Sequence, residues 1–271
     1  MEPTLDRRGT YAMKRIVIVT LALLLAPTAA SAGSTGWRVT VKGESTVVWH
    51  GSWTKVVPGR WRLPVVTIRG TTAGPSPDGA ALVLGAMESS EQRTASSFVV
   101  VRQGAVANVD LPGRWEFDAV SPAASTMYMT ESAGDGAYWV RPVAVATAKP
   151  GLRLVTKSIA PAPQPIGLEE GPMRGRPVDR VTSRDGQTVY TLYDGPEHPF
   201  VHALNIVSGG ALCYDLPSTM RVDVMRLRLR LGPRHGLVDV MRSKKVVAQV
   251  VDPSLGPAVR VAGTAVEPEL A

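Results

Sequence analysis

The chain is poor in cysteine, histidine and phenylalanine, with one Cys, four His and three Phe among 271 residues. A lone thiol, Cys213, closes no internal disulfide, so an exported form must be held together by packing. Cys213 sits in an apolar run with no basic residue beside it to lower its pKa, and reads as a small buried hydrophobe rather than a nucleophile. The sequence also lacks a GxSxG elbow, an HExxH pair, a phosphate loop and a calcium loop. Ser52-Trp53-Thr54-Lys55 has the SxxK form of penicillin-recognising enzymes, but its SDN and KTG companions are missing and its context is a short strand. His198 and His202 would share a metal on a helix; on a strand, at ~3.3 Å per residue, they stand about 13 Å apart. We therefore expect no catalytic residue, no metal site and no cofactor, with His202 packed inside its sheet.

What is present begins with residues 1–32. Lys14 and Arg15 precede the apolar run 16–26, and Ala30-Ser31-Ala32 supplies the small residues of a cleavage site. This reads as a signal peptide whose start is Met1 or Met13. The alternative is a retained anchor, although the run is shorter than the ~20 residues that span a bilayer. The expected product is exported, extracellular or envelope-associated, with no transmembrane span after cleavage.

The net charge of +7 is local. Between residues 219 and 247 there are eight basic residues against Asp223 and Asp239. Within that window Met225-Arg226-Leu227-Arg228-Leu229-Arg230-Leu231 alternates strictly, placing three guanidinium groups on one strand face. Arg226, Arg228 and Arg230 are thus the candidate contact surface for an anionic envelope component or another protein; the simpler reading is a solvated or salt-bridged face. Nucleic acid is a poor partner, since export removes it and no recognition motif is present.

The remaining signals are β. Residues 37–41, 46–49 and 54–57 are short β-prone runs, and 189–193, 200–207 and 211–216 follow one another across turns, with a further strand expected just before Ser183. Pro58-Gly59-Arg60-Trp61 recurs at Pro112-Gly113-Arg114-Trp115, and Asp110-Leu111-Pro112 recurs at Asp215-Leu216-Pro217. Trp61 and Trp115 are expected to pack between repeats. Ser76-Pro77-Asp78-Gly79, Ser121-Pro122, Ser183-Arg184-Asp185-Gly186 and Gly232-Pro233-Arg234-His235-Gly236 each precede an apolar strand. Pro fixes φ at the turn entry, Asp accepts from backbone N–H groups, and Gly takes the positive φ that reverses the chain. The Pro-rich stretch near 157–177 reads as a surface loop after an outer strand at 152–156.

Units of this length with four strands each predict an all-β, propeller-like array of four to five four-stranded blades over residues 33–265, with ring closure unsettled, and a tail at 266–271. Ser-Pro-Asp-Gly followed by an apolar strand resembles the repeat of WD40-like and YVTN-type propellers of exported bacterial proteins, and the unit 185–217 resembles actinobacterial ones. The resemblance implies an exported binding or scaffold module. A lactonase-like hydrolase with a site at the channel is the alternative, resting on fold analogy.

Overall fold

The computed structural model describes residues 36–87, 94–146, 149–150, 157–160, 172–234, 236–251 and 258–261. The leader and tail expected from sequence, and the strand expected at 152–156, lie outside them. Among the described residues the only helical turns are two 3₁₀ segments, Pro122–Ala124 and Ser218–Arg226.

Five antiparallel meanders follow one another along the chain. The first is β1 (Trp37–Lys42), β2 (Ser45–His50) and β3 (Trp53–Pro58); the second is β4 (Trp61–Arg62), β5 (Ala81–Ala86), β6 (Ala95–Arg102) and β7 (Ala105–Pro112). The third holds β8 (Trp115–Val120), β9 (Thr126–Gly134), β10 (Ala137–Ala144) and β11 (Lys149–Pro150). Next in the chain come β12 (Lys157–Ala160) and β13 (Met173–Arg174), which pair outward onto neighbouring sheets. The fourth sheet is β14 (Arg176–Thr182), β15 (Thr188–Asp194), β16 (Phe200–Asn205) and β17 (Ala211–Asp215), with β12 parallel to β17 at its edge, while β13 pairs with β10. The fifth is β18 (Leu227–Leu231), β19 (Leu237–Arg242), β20 (Lys245–Val251) and β21 (Ala258–Val261).

Four apolar layers join consecutive sheets. Trp37, Val48 and Val57 meet Leu82, Leu84 and Val99; Val83, Val100 and Leu111 meet Phe117, Met127 and Met129. Ala119, Tyr128 and Val140 meet Tyr193, Phe200 and Leu204; Tyr190, Leu192 and Tyr214 meet Leu227, Leu229 and Val240. Among the described residues no such layer joins the fifth sheet to the first, so the propeller-like ring is open. The strand sequences follow from this. β5, β15 and β16 are covered on both faces and read as nearly continuous apolar runs, whereas in Leu-Arg-Leu-Arg-Leu of β18 Leu227 and Leu229 are buried and Arg228 and Arg230 are exposed.

The repeated tetrapeptide is one structure made twice. Gly59 and Gly113 have φ of +94° and +92°, and each following indole donates back to the preceding proline carbonyl, Trp61 Nε1 to Pro58 at 2.6 Å and Trp115 Nε1 to Pro112 at 2.8 Å. In both, a hydroxyl on the sheet ending there, Thr46 or Ser96, donates to the glycine carbonyl and accepts from the Trp N–H that opens the next sheet.

The serine-led turns are built the same way. Ser76, Ser121 and Ser183 accept at Oγ from the backbone N–H five residues on, at 2.9, 3.0 and 2.9 Å. Where Asp is present the hydroxyl also donates to it, Ser76 to Asp78 and Ser183 to Asp185. At Ser121 no Asp-Gly follows, and Ala123 and Ala124 take left-handed φ of 54° and 52°. Neighbouring groups hold this strained turn: Asp78 Oδ2 accepts from Ala123 N–H at 2.7 Å, and Arg102 donates to the carbonyls of Ala123 and Ala124.

Several expectations are corrected. The alternating strand begins at Leu227, not Met225: Met225 and Arg226 close the 3₁₀ segment, and Arg69 donates across this junction to the carbonyls of Met225 and Leu227. The Pro-rich stretch is not loop throughout, because β12 occupies the Pro-free Lys157–Ala160 and Pro177 lies in β14 beside a bulge, where its missing N–H costs no ladder bond. The strand expected over 200–207 stops at Asn205, whose Oδ1 accepts from Val207 and Ser208 N–H and turns the chain. His198 stands in the loop before β16 rather than on the strand.

Candidate functional site: a basic end and a channel mouth

The turns after β8, β14 and β18 lie at one end of the array; the starts of these innermost strands lie at the other. At this second end the 3₁₀ segment Ser218–Arg226 leads into β18, and Leu227 pairs with Arg242, which pairs with Lys245 across a hairpin. The chain therefore brings Arg221, Arg226, Arg228, Arg242, Lys244 and Lys245 to one edge of the fifth sheet. Asp223 is shared there by Arg226 at 3.7 Å and Arg242 at 3.4 Å. Arg226 is 81% exposed. Arg228 is exposed on the outer face of β18, and among the described residues its side chain bonds only the Leu227 carbonyl, at 3.4 Å. Arg230, on that same face, reaches Asp239 at 2.7 Å, and Gln249 donates to the other oxygen of that buried carboxylate. The structure thus keeps Arg228 and Arg230 together and sets Arg226 just beyond the strand.

Beside this edge opens a cavity of about 380 Å³. Its walls come from Val65, Val66 and Ile68 in the loop before β5, Phe117 of β8, Tyr138 of β10 and Pro177 of β14, with the charged Arg114, Glu116, Asp118 and Arg176 among them. The loop is fixed across the axis: Ile68 N–H donates to the Pro177 carbonyl at 2.8 Å, and Arg69 donates to the Leu227 carbonyl at 2.7 Å and lies 3.7 Å from Asp179. Burial raises the Asp179 carboxyl above its ordinary value, against the Leu229 N–H that it accepts at 2.7 Å.

Under the cavity floor Arg180 and Asp118 form an ion pair with both side chains 6% exposed, and Arg180 also donates to the Asp118 carbonyl at 2.6 Å. Among the described residues Asp118 Oδ2 and Arg180 Nε have no hydrogen-bond partner. The rings of Tyr138 and Tyr193 stack beside this pair at 6.1 Å, and burial raises both phenols well above their ordinary pKa. Sequence reasoning missed the pair, since Asp118 and Arg180 sit on strands 62 residues apart and neither belongs to a motif.

His202 is buried with its ring edge-on to Tyr193, and Cys213 is buried in the same layer. His198 Nδ1 lies 3.7 Å from Asp215 in a hollow of about 240 Å³. Ser52 of the SxxK match lies in the β2–β3 turn. Among the described residues no three of His, Cys, Asp and Glu converge to hold a metal ion, and no helix is long and apolar enough to cross a membrane.

No family model and no curated protein matches the chain. Among solved structures it is similar to TolB from Acinetobacter baumannii, at 12% identity and TM-score 0.37 over 80% of this chain and 48% of that one. It is similar to a prolyl endopeptidase at 12% identity and TM-score 0.45, over 83% of this chain and 34% of that one. The β-propeller domain of Myceliophteria thermophila Cps50 (Swd1) matches at 7% identity and TM-score 0.39, over 80% and 63% of the two chains. The chain thus spans about half the length of TolB and a third of the endopeptidase. At these scores the likenesses carry no argument, and the fold rests on the sheets themselves.

Proposed function

We propose that the chain is an exported module of the cell envelope that binds an anionic envelope component through the basic edge of its fifth sheet, acting as a scaffold. The observation that carries this reading is the outward placement of Arg226 and Arg228 beside Arg221, Lys244 and Lys245 on a sheet that no further sheet covers among the described residues. The signal-like leader and the resemblance to exported repeat proteins support the location. The hydrolase alternative called for a convergent set of carboxylates and histidines at the channel; the described lining of the mouth offers two carboxylates and no histidine, with Asp118 engaged by Arg180 and Glu116 standing among Arg114, Arg176 and the apolar Val65, Val66, Ile68, Phe117 and Pro177. Pull-down of envelope material by the immobilised chain tests the proposal. Capture at about 0.05 M salt that is lost at about 0.5 M, and lost at low salt in R226E/R228E, supports it. Equal capture by the variant, or none by the native chain, overturns it.

A further inference from the structure

The basic edge carries a feature that charge alone does not explain. The 3₁₀ segment Ser218–Arg226 is firmly seated, with Met220 and Val224 buried in the layer between the fourth and fifth sheets and Arg69 holding the carbonyls of Met225 and Leu227. Yet Val222 is 93% exposed and Met225 49% exposed. Side chains three apart eclipse one another in a 3₁₀ helix, so these two project from the same side. Arg221 and Arg226 flank them, and the hairpin that bears Lys244 and Lys245 lies alongside through the Asp223–Arg242 contact. Asp223, the one acidic residue of the segment, is already engaged by two arginines.

We infer that this edge docks on the surface of an anionic lipid bilayer, with Val222 and Met225 entering the headgroup–acyl boundary and the surrounding cations meeting lipid phosphates. Long basic side chains suit this position, because their stems lie along apolar material while their charges reach the headgroups. A soluble anionic polymer would use the same cations and gain nothing from Val222 and Met225. The inference rests on the anionic-contact reading above and names its partner.

The test is flotation of the full chain with vesicles of equal parts phosphatidylglycerol and phosphatidylcholine, with pure phosphatidylcholine vesicles and a heparin column run in parallel. The native chain floats with the anionic vesicles and not with the neutral ones. V222S/M225S weakens vesicle binding roughly tenfold and leaves heparin retention unchanged. R226E/R228E weakens both, by about fivefold or more per arginine. Unchanged flotation of V222S/M225S, or heparin retention without flotation, overturns the bilayer inference while the broader anionic reading stands. Failure on both supports overturns both.

Discussion

The two ends of this molecule treat polar groups in opposite ways. At the end bearing the serine-led turns, side chains are spent on joining sheets: Trp37 Nε1 donates to Gly79 O, Asp78 accepts from Ala123, and Arg184 donates to Gly232 O. Pro77 there packs so closely on Gly186 that a Cβ on the glycine would come within 2.7 Å of the proline Cβ. At the opposite end Arg221, Arg228, Lys244 and Lys245 are exposed with no carboxylate partner among the described residues, beside exposed Val222 and Met225. The basic end has inter-sheet ties of its own, through Arg69 and the Asp118–Arg180 pair, but of the two ends only this one, among the described residues, also turns several cations to solvent beside exposed apolar side chains.

Six substitutions break or sharpen that contrast. Asp118→Ala lies below the basic end and shows that pairing, rather than position, decides cost: it strands the buried Arg180 guanidinium and should destabilise by about 3–5 kcal/mol in urea unfolding. Gly186→Val imposes a β-branched residue at φ +72° against Pro77, costing about 2–4 kcal/mol in the same assay. Asp78→Asn should cost about 1–2 kcal/mol near neutral pH, because hydrogen bonds to a charged acceptor are lost. Burial tends to raise the Asp78 carboxyl, but donation from Ser76, Ala80 and Ala123 holds it below the ordinary 3.8. A depressed folded pKa contributes stability above that value that fades as pH falls through it, so the native chain should lose stability below about pH 4 more steeply than the Asn variant.

Ala123→Gly works in the other direction. It relieves a left-handed alanine at φ 54° and should raise stability by about 0.5–1 kcal/mol, read as a higher Tm. Smallest of all, V222S or R228A should move unfolding by less than about 0.5 kcal/mol, since each removes an exposed group without a paired partner.

How much of this was legible in the sequence follows from distance along the chain. Pro-Gly-Arg-Trp and the Ser-led turns were readable because a positive φ and a local acceptor are decided within a few residues. Even there the reading credited Pro, Asp and Gly and passed over the serine hydroxyl, whose acceptor role reaches five residues ahead. Arg184, which stands where Ser76-Pro77-Asp78-Gly79 has proline, ties its turn to the next sheet through Gly232 and Pro233. β12 escaped notice because its parallel pairing with β17 depends on a partner some 50 residues away. The channel mouth was invisible for the same reason: its wall is made by the loop before β5 crossing to Pro177 and Leu227. Val222 and Met225, by contrast, read as two more apolar residues in an apolar chain, and only their exposure sets them apart.

The division between the ends is tested most directly by a polarity-sensitive fluorophore placed on each. Thr219→Cys puts the probe on the exposed side of the 3₁₀ segment, in line with Val222 and Met225; Val207→Cys puts it on an exposed site at the turn end, where Ile206 N–H meets the Gln187 carbonyl. On adding phosphatidylglycerol vesicles, the account predicts a blue shift and intensity gain at position 219 and no change at 207. A shift at 207, or none at 219, would contradict it.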